Sequence, residues 1–295
     1  MDNRYQLQFT VKLDGQLLRE ALAGFGISKR TLTAVKFDGG ALYVNGEERN
    51  VRHPLHSGDV VTVIFPPEEV SEGLVAEYSE LAIVYEDETL LIINKPAYMS
   101  TIPSREHPSG SVANYVRGYF EQQAIASTVH IVTRLDRDTS GLMVIAKHRH
   151  IHHLMSEQQK SGQLQREYEA VVEGHVKLEK QTIKAPIGRK DTSIIERQIS
   201  ADGQAAHTDV TVLKHGHKNS HVRLKLYTGR THQIRVHMAH VGHPLVGDDL
   251  YGGSLQSLDR QALHCVFVQF PHPLTGEEMT IESPLPTEFI PLLNS

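Results

Sequence analysis

Residues 131–146 read Ile-Val-Thr-Arg-Leu-Asp-Arg-Asp-Thr-Ser-Gly-Leu-Met-Val-Ile-Ala. Two apolar runs of strand character, Ile131-Val132 and residues 142–146, enclose a turn holding two arginines and two aspartates. A fold that buries both runs must keep four ionisable side chains on the short loop between them. Such a loop, fixed by a rigid scaffold, is a common seat of function. The competing reading is an ordinary charged hairpin, with Asp138 or Thr139 bonding the turn backbone and Gly141 supplying an unusual backbone angle. The chemistry of the stretch alone leaves the two level.

A chain of 295 residues fits one large domain plus a small one. No apolar run approaches the roughly 18 residues that span a bilayer, and the start lacks the basic-then-apolar layout of a signal peptide. The single cysteine, Cys265, cannot form an intrachain disulfide, so a reducing cytoplasm is expected. The net charge of −5 argues against nucleic acid until it is mapped. Residues 68–88 hold eight acids and no Lys or Arg, whereas residues 95–235 hold 21 Lys and Arg against 13 acids, a local +8. A basic middle permits RNA binding without requiring it.

Taken in order, residues 5–13 alternate as a strand, and Leu17, Leu18, Ala21, Leu22 and Phe25 follow a helical period. Ser28 is placed to cap a second helix, with Lys29 and Arg30 as candidate phosphate contacts. Asn45-Gly46 marks a turn between strands at 41–44 and 60–65. Pro66-Pro67 and the acids that follow read as a linker. Strands at 83–85 and 90–93 lead into Asn94-Lys95-Pro96, where Lys95 has the reach for a phosphate, although a structural role is the better expectation. A helix is expected over 111–120. His148, His150, His152 and His153 fall within six residues. No glutamate between His148 and His152 gives a zinc-protease pattern, and no cysteine lies nearby, so a polar helix face near RNA is expected rather than a metal site. Residues 166–174 alternate as a strand, with Tyr168 either core or functional. Residues 181–205 read as long connections. Thr231 is the expected N-cap of a helix whose inner face is Ile234, Met238 and Val241.

Five stretches together resemble the motifs of the RluA-type pseudouridine synthase family. They are Asn94-Lys95-Pro96 with Met99; Arg134-Leu135-Asp136 with Thr139-Ser140-Gly141; Tyr168 with Ala170 and Gly174; Thr228-Gly229-Arg230 with His232-Gln233, Arg235 and His237; and Gly242-His243-Pro244 with Gly247-Asp248 and Tyr251-Gly252. Leu263-His264 and Pro271-His272-Pro273 resemble its closing strand. The resemblance spans roughly residues 81–290. Two departures stand out: Tyr98 precedes the methionine where the family often has glycine, and Thr133 replaces the usual histidine before Arg134. The N-terminal part resembles an S-four-type RNA-binding domain more loosely.

The resemblance implies an α+β fold around a large mixed, mostly antiparallel sheet with flanking helices, plus the small N-terminal α/β domain. The corresponding boundaries are 1–66, an acidic linker 67–80 and a catalytic domain 81–295. It implies isomerisation of uridine in ribosomal or transfer RNA, with no cofactor and no metal. Asp136 is then the catalytic carboxylate, acting as nucleophile or as base. Arg235 is its ionic partner, Arg134 helps hold the flipped-out nucleotide, and Tyr168 stacks on the uracil and can assist proton removal. A monomer is expected. A non-catalytic RNA-binding or assembly factor is the alternative, and a histidine-dependent metal hydrolase a more remote one.

Overall fold

The computed structural model describes residues 4–69, 73–104 and 107–294. The first elements are β1 (Gln6–Thr10), α1 (Leu18–Gly24), α2 (Lys29–Phe37), β2 (Ala41–Val44), β3 (Glu47–Glu48) and β4 (Val60–Ile64). The four strands form one antiparallel sheet in the order β1-β4-β2-β3. Alternation puts Leu7 and Phe9 on its inner face with Leu42, Val44, Val61 and Val63, where Leu18, Leu22 and Val35 of the two helices close a separate core. Local signals act as read. Ser28 accepts from the Thr31 amide at 3.1 Å, and Asn45-Gly46 turns with φ of +52° and +82°.

The larger part continues with β5 (Ile83–Glu86), β6 (Leu90–Lys95), α3 (Val112–Gln122), β7 (His130–Ile131), β8 (Ser140–Ala146), α4 (Arg149–Ser161) and β9 (Gln165–Glu173). There follow β10 (Lys180–Lys184), β11 (Ile187–Arg189), β12 (Arg197–Ile199), β13 (His207–His215), β14 (Asn219–Leu226), α5 (Gln233–His240), β15 (Leu263–Pro271) and β16 (Glu278–Glu282). A ten-stranded sheet runs β10-β13-β14-β9-β15-β8-β6-β5, with β16 on β15 and β7 on β8. Every pairing in it is antiparallel except β15 with β8. β8 is buried along its whole length, as its unbroken apolar run requires.

The parallel crossing sets the centre of the molecule. Gly141 of β8 lies beside Cys265 of β15, and Cys265 lies beside Tyr168 of β9. Gly141 holds φ of +117°, and a Cβ there would sit 2.4 Å from the backbone N and O of Cys265. Both conditions exclude a side chain. Gly141→Ala is therefore expected to destabilise the fold by on the order of 3 kcal/mol, through strain and collision together. A denaturation midpoint equal to wild type would contradict this crossing.

Three local expectations are corrected. The connections at 181–205 contain β10 and the two-stranded β11–β12 hairpin, whose Ile187 and Ile199 pack beside Val236 of α5. Their strands are too short for alternation to register. The N-cap of α5 is His232, at φ +56°, rather than Thr231. No side chain caps the helix; Gln233 instead braces the turn before it, its side-chain oxygen accepting from the Thr228 hydroxyl at 2.8 Å and the Arg230 amide at 3.0 Å. Two acids of the stretch after Pro67 are tethered rather than free: Glu68 pairs with His130 and accepts from the Arg149 amide, and Glu77 accepts from the Gly110 amide, while Glu69 and Glu80 are exposed.

The histidine run corrects a fourth. The His148 ring stacks on Tyr5 at 3.9 Å, and His150 stacks on Phe65 at 5.1 Å, so this face joins the two sheets instead of facing outward. A neutral imidazole packs as a flat ring, and burial pushes both histidines down to about 4. Neither ring nitrogen of His150 has a hydrogen-bond partner among the described residues. Between the unfolded value near 6.5 and the folded value near 4, only the unfolded chain takes the proton. Stability is thus whole above pH 6.5 and falls as the pH drops toward 4, His150 contributing on the order of 3 kcal/mol. His150→Leu should leave stability at pH 8 unchanged and flatten the slope between pH 4 and 6.5. An unaltered slope in denaturant titrations would rule this out.

Candidate active site

The loop between β7 and β8 is held from beneath by buried polar groups. Thr101 donates to the Leu135 carbonyl at 2.7 Å, and the Thr139 amide donates to the Asp136 carbonyl at 3.1 Å. Lys95, fully buried at the end of β6, donates to the carbonyls of Pro96, Met99 and Arg137 at 2.8, 2.8 and 3.0 Å. Burial pushes its amine down to about 7, against the pull of Asp138 and Asp136. Lys95 is committed to tying two loops together and has no reach for a phosphate. Tyr98, in the loop it anchors, holds φ of +61°, the left-handed conformation that glycine adopts most readily. Its hydroxyl bonds Asp259. Thr133 is buried with its hydroxyl accepting from the Val144 amide at 2.9 Å, a packing role within the sheet.

Above this loop opens a cavity of about 500 Å³. Asp136 lines it, with Arg134, Tyr168 and Arg235, so the four residues singled out from sequence share one pocket. Among the described lining residues Asp136 is the one carboxylate, facing five arginines: 134, 137, 166, 230 and 235. Arg134, Arg137 and Arg230 are exposed at its mouth, while Arg166 and Arg235 are buried.

Arg235 is positioned by a residue that sequence reasoning did not single out. Its Nε and one terminal nitrogen donate to the two oxygens of Asp248, each at 2.7 Å. The other terminal nitrogen stands 3.6 Å from Asp136. Burial opposes the guanidinium charge, but the bonds to Asp248 and the charges of Asp248 and Asp136 outweigh it and raise its pKa. The signal for Asp248 was an acid directly after the apolar Leu245-Val246-Gly247, a position that a charge occupies only when paired.

His232 was missed as well. Its left-handed backbone aims Nε2 at Asp136, 4.0 Å away, while Nδ1 lies 2.8 Å from the Tyr251 hydroxyl. That hydroxyl also accepts from the Arg197 amide of β12 at 2.9 Å. Burial, joined by Arg235, holds His232 below its ordinary range despite Asp136. A neutral imidazole with Nε2 protonated would direct a donor toward the carboxylate. Tyr168, on the buried face of β9, has its phenol raised by burial, and the adjoining Cys265 thiol is pushed up to about 12. Both stay protonated at neutral pH.

Fold and pocket describe an enzyme that seats a polyanion around a single carboxylate. Comparison with known proteins makes the class specific: the family described as RNA pseudouridylate synthase matches residues 89–240. The chain is 51% identical to a Bacillus subtilis (strain 168) protein named "Uncharacterized RNA pseudouridine synthase YjbO", over 94% of this chain and 98% of that one. It is 39% identical to ribosomal large subunit pseudouridine synthase D of Pseudomonas aeruginosa PAO1, over 96% of this chain and 92% of that one. Among solved structures, Human RNA Pseudouridylate Synthase Domain Containing 1 aligns with a TM-score of 0.58 and 27% identity, over 73% of this chain and 86% of that one. The chain belongs to the RNA pseudouridylate synthase family. It is an RNA-modifying isomerase of the RluA type, built on that family's mixed sheet.

Proposed function

We propose that this protein isomerises specific uridines of large-subunit ribosomal RNA, with Asp136 as the catalytic carboxylate. The observation that carries the assignment is the placement of Asp136 as the one acid among the described residues of an arginine-lined pocket. The name of the Pseudomonas relative supports ribosomal RNA as substrate. Transfer RNA is the second substrate class to test.

In this reading the target nucleotide is extruded from its stack into the pocket. Arg134, Arg137 and Arg230 at the mouth meet the phosphodiester backbone, and the Tyr168 ring packs against the base. Asp136 attacks C1′ or takes a proton from C2′ while the C1′–N1 bond breaks and its electron pair passes to the uracil. The uracil turns and C5 bonds C1′ as the Asp136–C1′ ester opens or as Asp136 returns the proton to C2′; the hydrogen leaving C5 is matched by one gained at N1, so the reaction is redox-neutral and the carboxylate is regenerated. Arg235, fixed by Asp248, holds the carboxylate in its rotamer. Tyr168 serves as a platform rather than a base, since burial resists loss of its proton. The same reading has a monomer working in the cytoplasm. It also has the N-terminal unit touching RNA backbone through Lys29 and Arg30, both exposed at the start of α2.

Pseudouridine mapping of total RNA from cells with and without the gene tests the assignment. A ribosomal site lost on deletion is expected to return with the wild-type gene and to stay absent with Asp136→Asn. Loss of a transfer RNA site alone would replace the substrate. Restoration by the variant would remove Asp136 from the chemistry.

A further inference from the structure

Arg166 has no role in the account above. It stands on the same face of β9 as Tyr168, two residues away or roughly 7 Å along the strand. Its side chain lines the catalytic cavity, yet the residue is only 7% exposed. The terminal nitrogens lie against Gly229, where a Cβ would stand 2.9 Å from one of them. No carboxylate pairs with it, and its Nε is buried without a hydrogen-bond partner among the described residues. A buried guanidinium left without an anion or acceptor is costly, and a protein retains one where a ligand completes it.

Depth decides which part of the substrate that ligand is. The exposed Arg134, Arg137 and Arg230 at the mouth are placed for the phosphodiester backbone. Arg166 sits beside the ring of Tyr168, where the base would lie. When the C1′–N1 bond breaks, its electron pair enters the uracil and spreads over N1, O2 and O4. The detached base is then an anion until C5 bonds C1′ and the C5 hydrogen is exchanged for one at N1. A fixed guanidinium in a water-poor pocket stabilises such charge where it develops, without reorganising. We infer that Arg166 is a further catalytic residue, donating to a carbonyl oxygen of the target uracil and stabilising the uracil anion during its rotation. This rests on reading the cavity as the uridine site.

The test uses the full chain and total RNA from cells lacking the gene, which carries the natural target whatever RNA that is. Arg166→Met and Arg166→Lys are compared with wild type by single-turnover pseudouridine formation at saturating enzyme, by RNA affinity and by thermal unfolding. Arg166→Met is expected to lower the single-turnover rate about 10²–10³-fold. RNA affinity should change less than threefold and the melting temperature should not fall, because no internal partner is lost. Arg166→Lys, which keeps the charge without the fork, should fall between the two.

A methionine variant within threefold of the wild-type rate overturns the inference. So does one whose RNA affinity falls while its rate at saturation holds, which would move Arg166 to the backbone. If the methionine variant does not fold, the inference stands only if Arg166→Lys folds normally and loses rate at unchanged affinity. Asp136→Asn run alongside separates the two readings. An active Asp136→Asn removes the cavity as the uridine site, whereas an inactive one beside a normal Arg166→Met removes only the role of Arg166.

Discussion

Asp136→Asn should abolish pseudouridine formation while leaving the fold and RNA affinity nearly intact. The substitution is close to isosteric, and Asp136 is partly open to the cavity, so little packing is at stake. Its 3.6 Å approach to Arg235 is a loose one, and Arg235 keeps its full pair with Asp248. An amide can neither attack C1′ nor hold a proton taken from C2′, so the route through this residue closes whichever form it takes. A loss of at least about 10³-fold in single-turnover rate is expected, with RNA affinity within a few-fold. Removing one negative charge from an arginine-lined pocket should also tighten RNA binding modestly. Turnover near the wild-type level, measured on RNA from the deletion strain, would end the assignment of Asp136.

Asp248→Asn should be the costlier change for the fold. Asp248 is wholly buried and bonds two nitrogens of a buried arginine. Removing one partner of such a pair leaves the other charge uncompensated, at about 3–5 kcal/mol. For a chain of this size that lowers the melting temperature by roughly 6–12 °C or more. Among the described residues the released guanidinium has Asp136 left within reach, and closing that contact would draw the proposed catalytic carboxylate out of position. The rate should therefore fall about 10²-fold even at temperatures where the variant is folded. Thermal unfolding and single-turnover rates on one preparation check both parts. A melting temperature equal to wild type would mean that the pair does not support the fold.

Much of this was legible in local pattern. The alternation of 166–174, the unbroken apolar run of β8, the Ser28 cap and the Asn45-Gly46 turn each depend on neighbours within a few residues, and each lies where that chemistry puts it. The residues of the pocket were legible through motifs, because Arg134, Asp136, Tyr168 and Arg235 sit in recognisable spellings. What stayed hidden depends on contacts across the chain. Gly141 is a glycine because of Cys265, 124 residues later by number (265 − 141), and Arg235 is oriented by Asp248 from beyond its helix. The histidine run misled because a neutral ring under another aromatic ring is spelled like a solvated one. Arg166 was passed over because a strand interior shows its face but not whether its charge is matched.

One consequence follows from the packed histidines and the tethered acids. Tyr5 on His148, Phe65 on His150, and Glu68 on His130 and Arg149 fasten the N-terminal sheet to the larger one at several separate points. A mount of that kind holds α2 and the pocket at a fixed separation, like the jaws of a caliper. If the proposed contact of α2 with RNA holds, a substrate touching both jaws would have to present its uridine at a set span from the backbone held at the other, and distance would join sequence in choosing it.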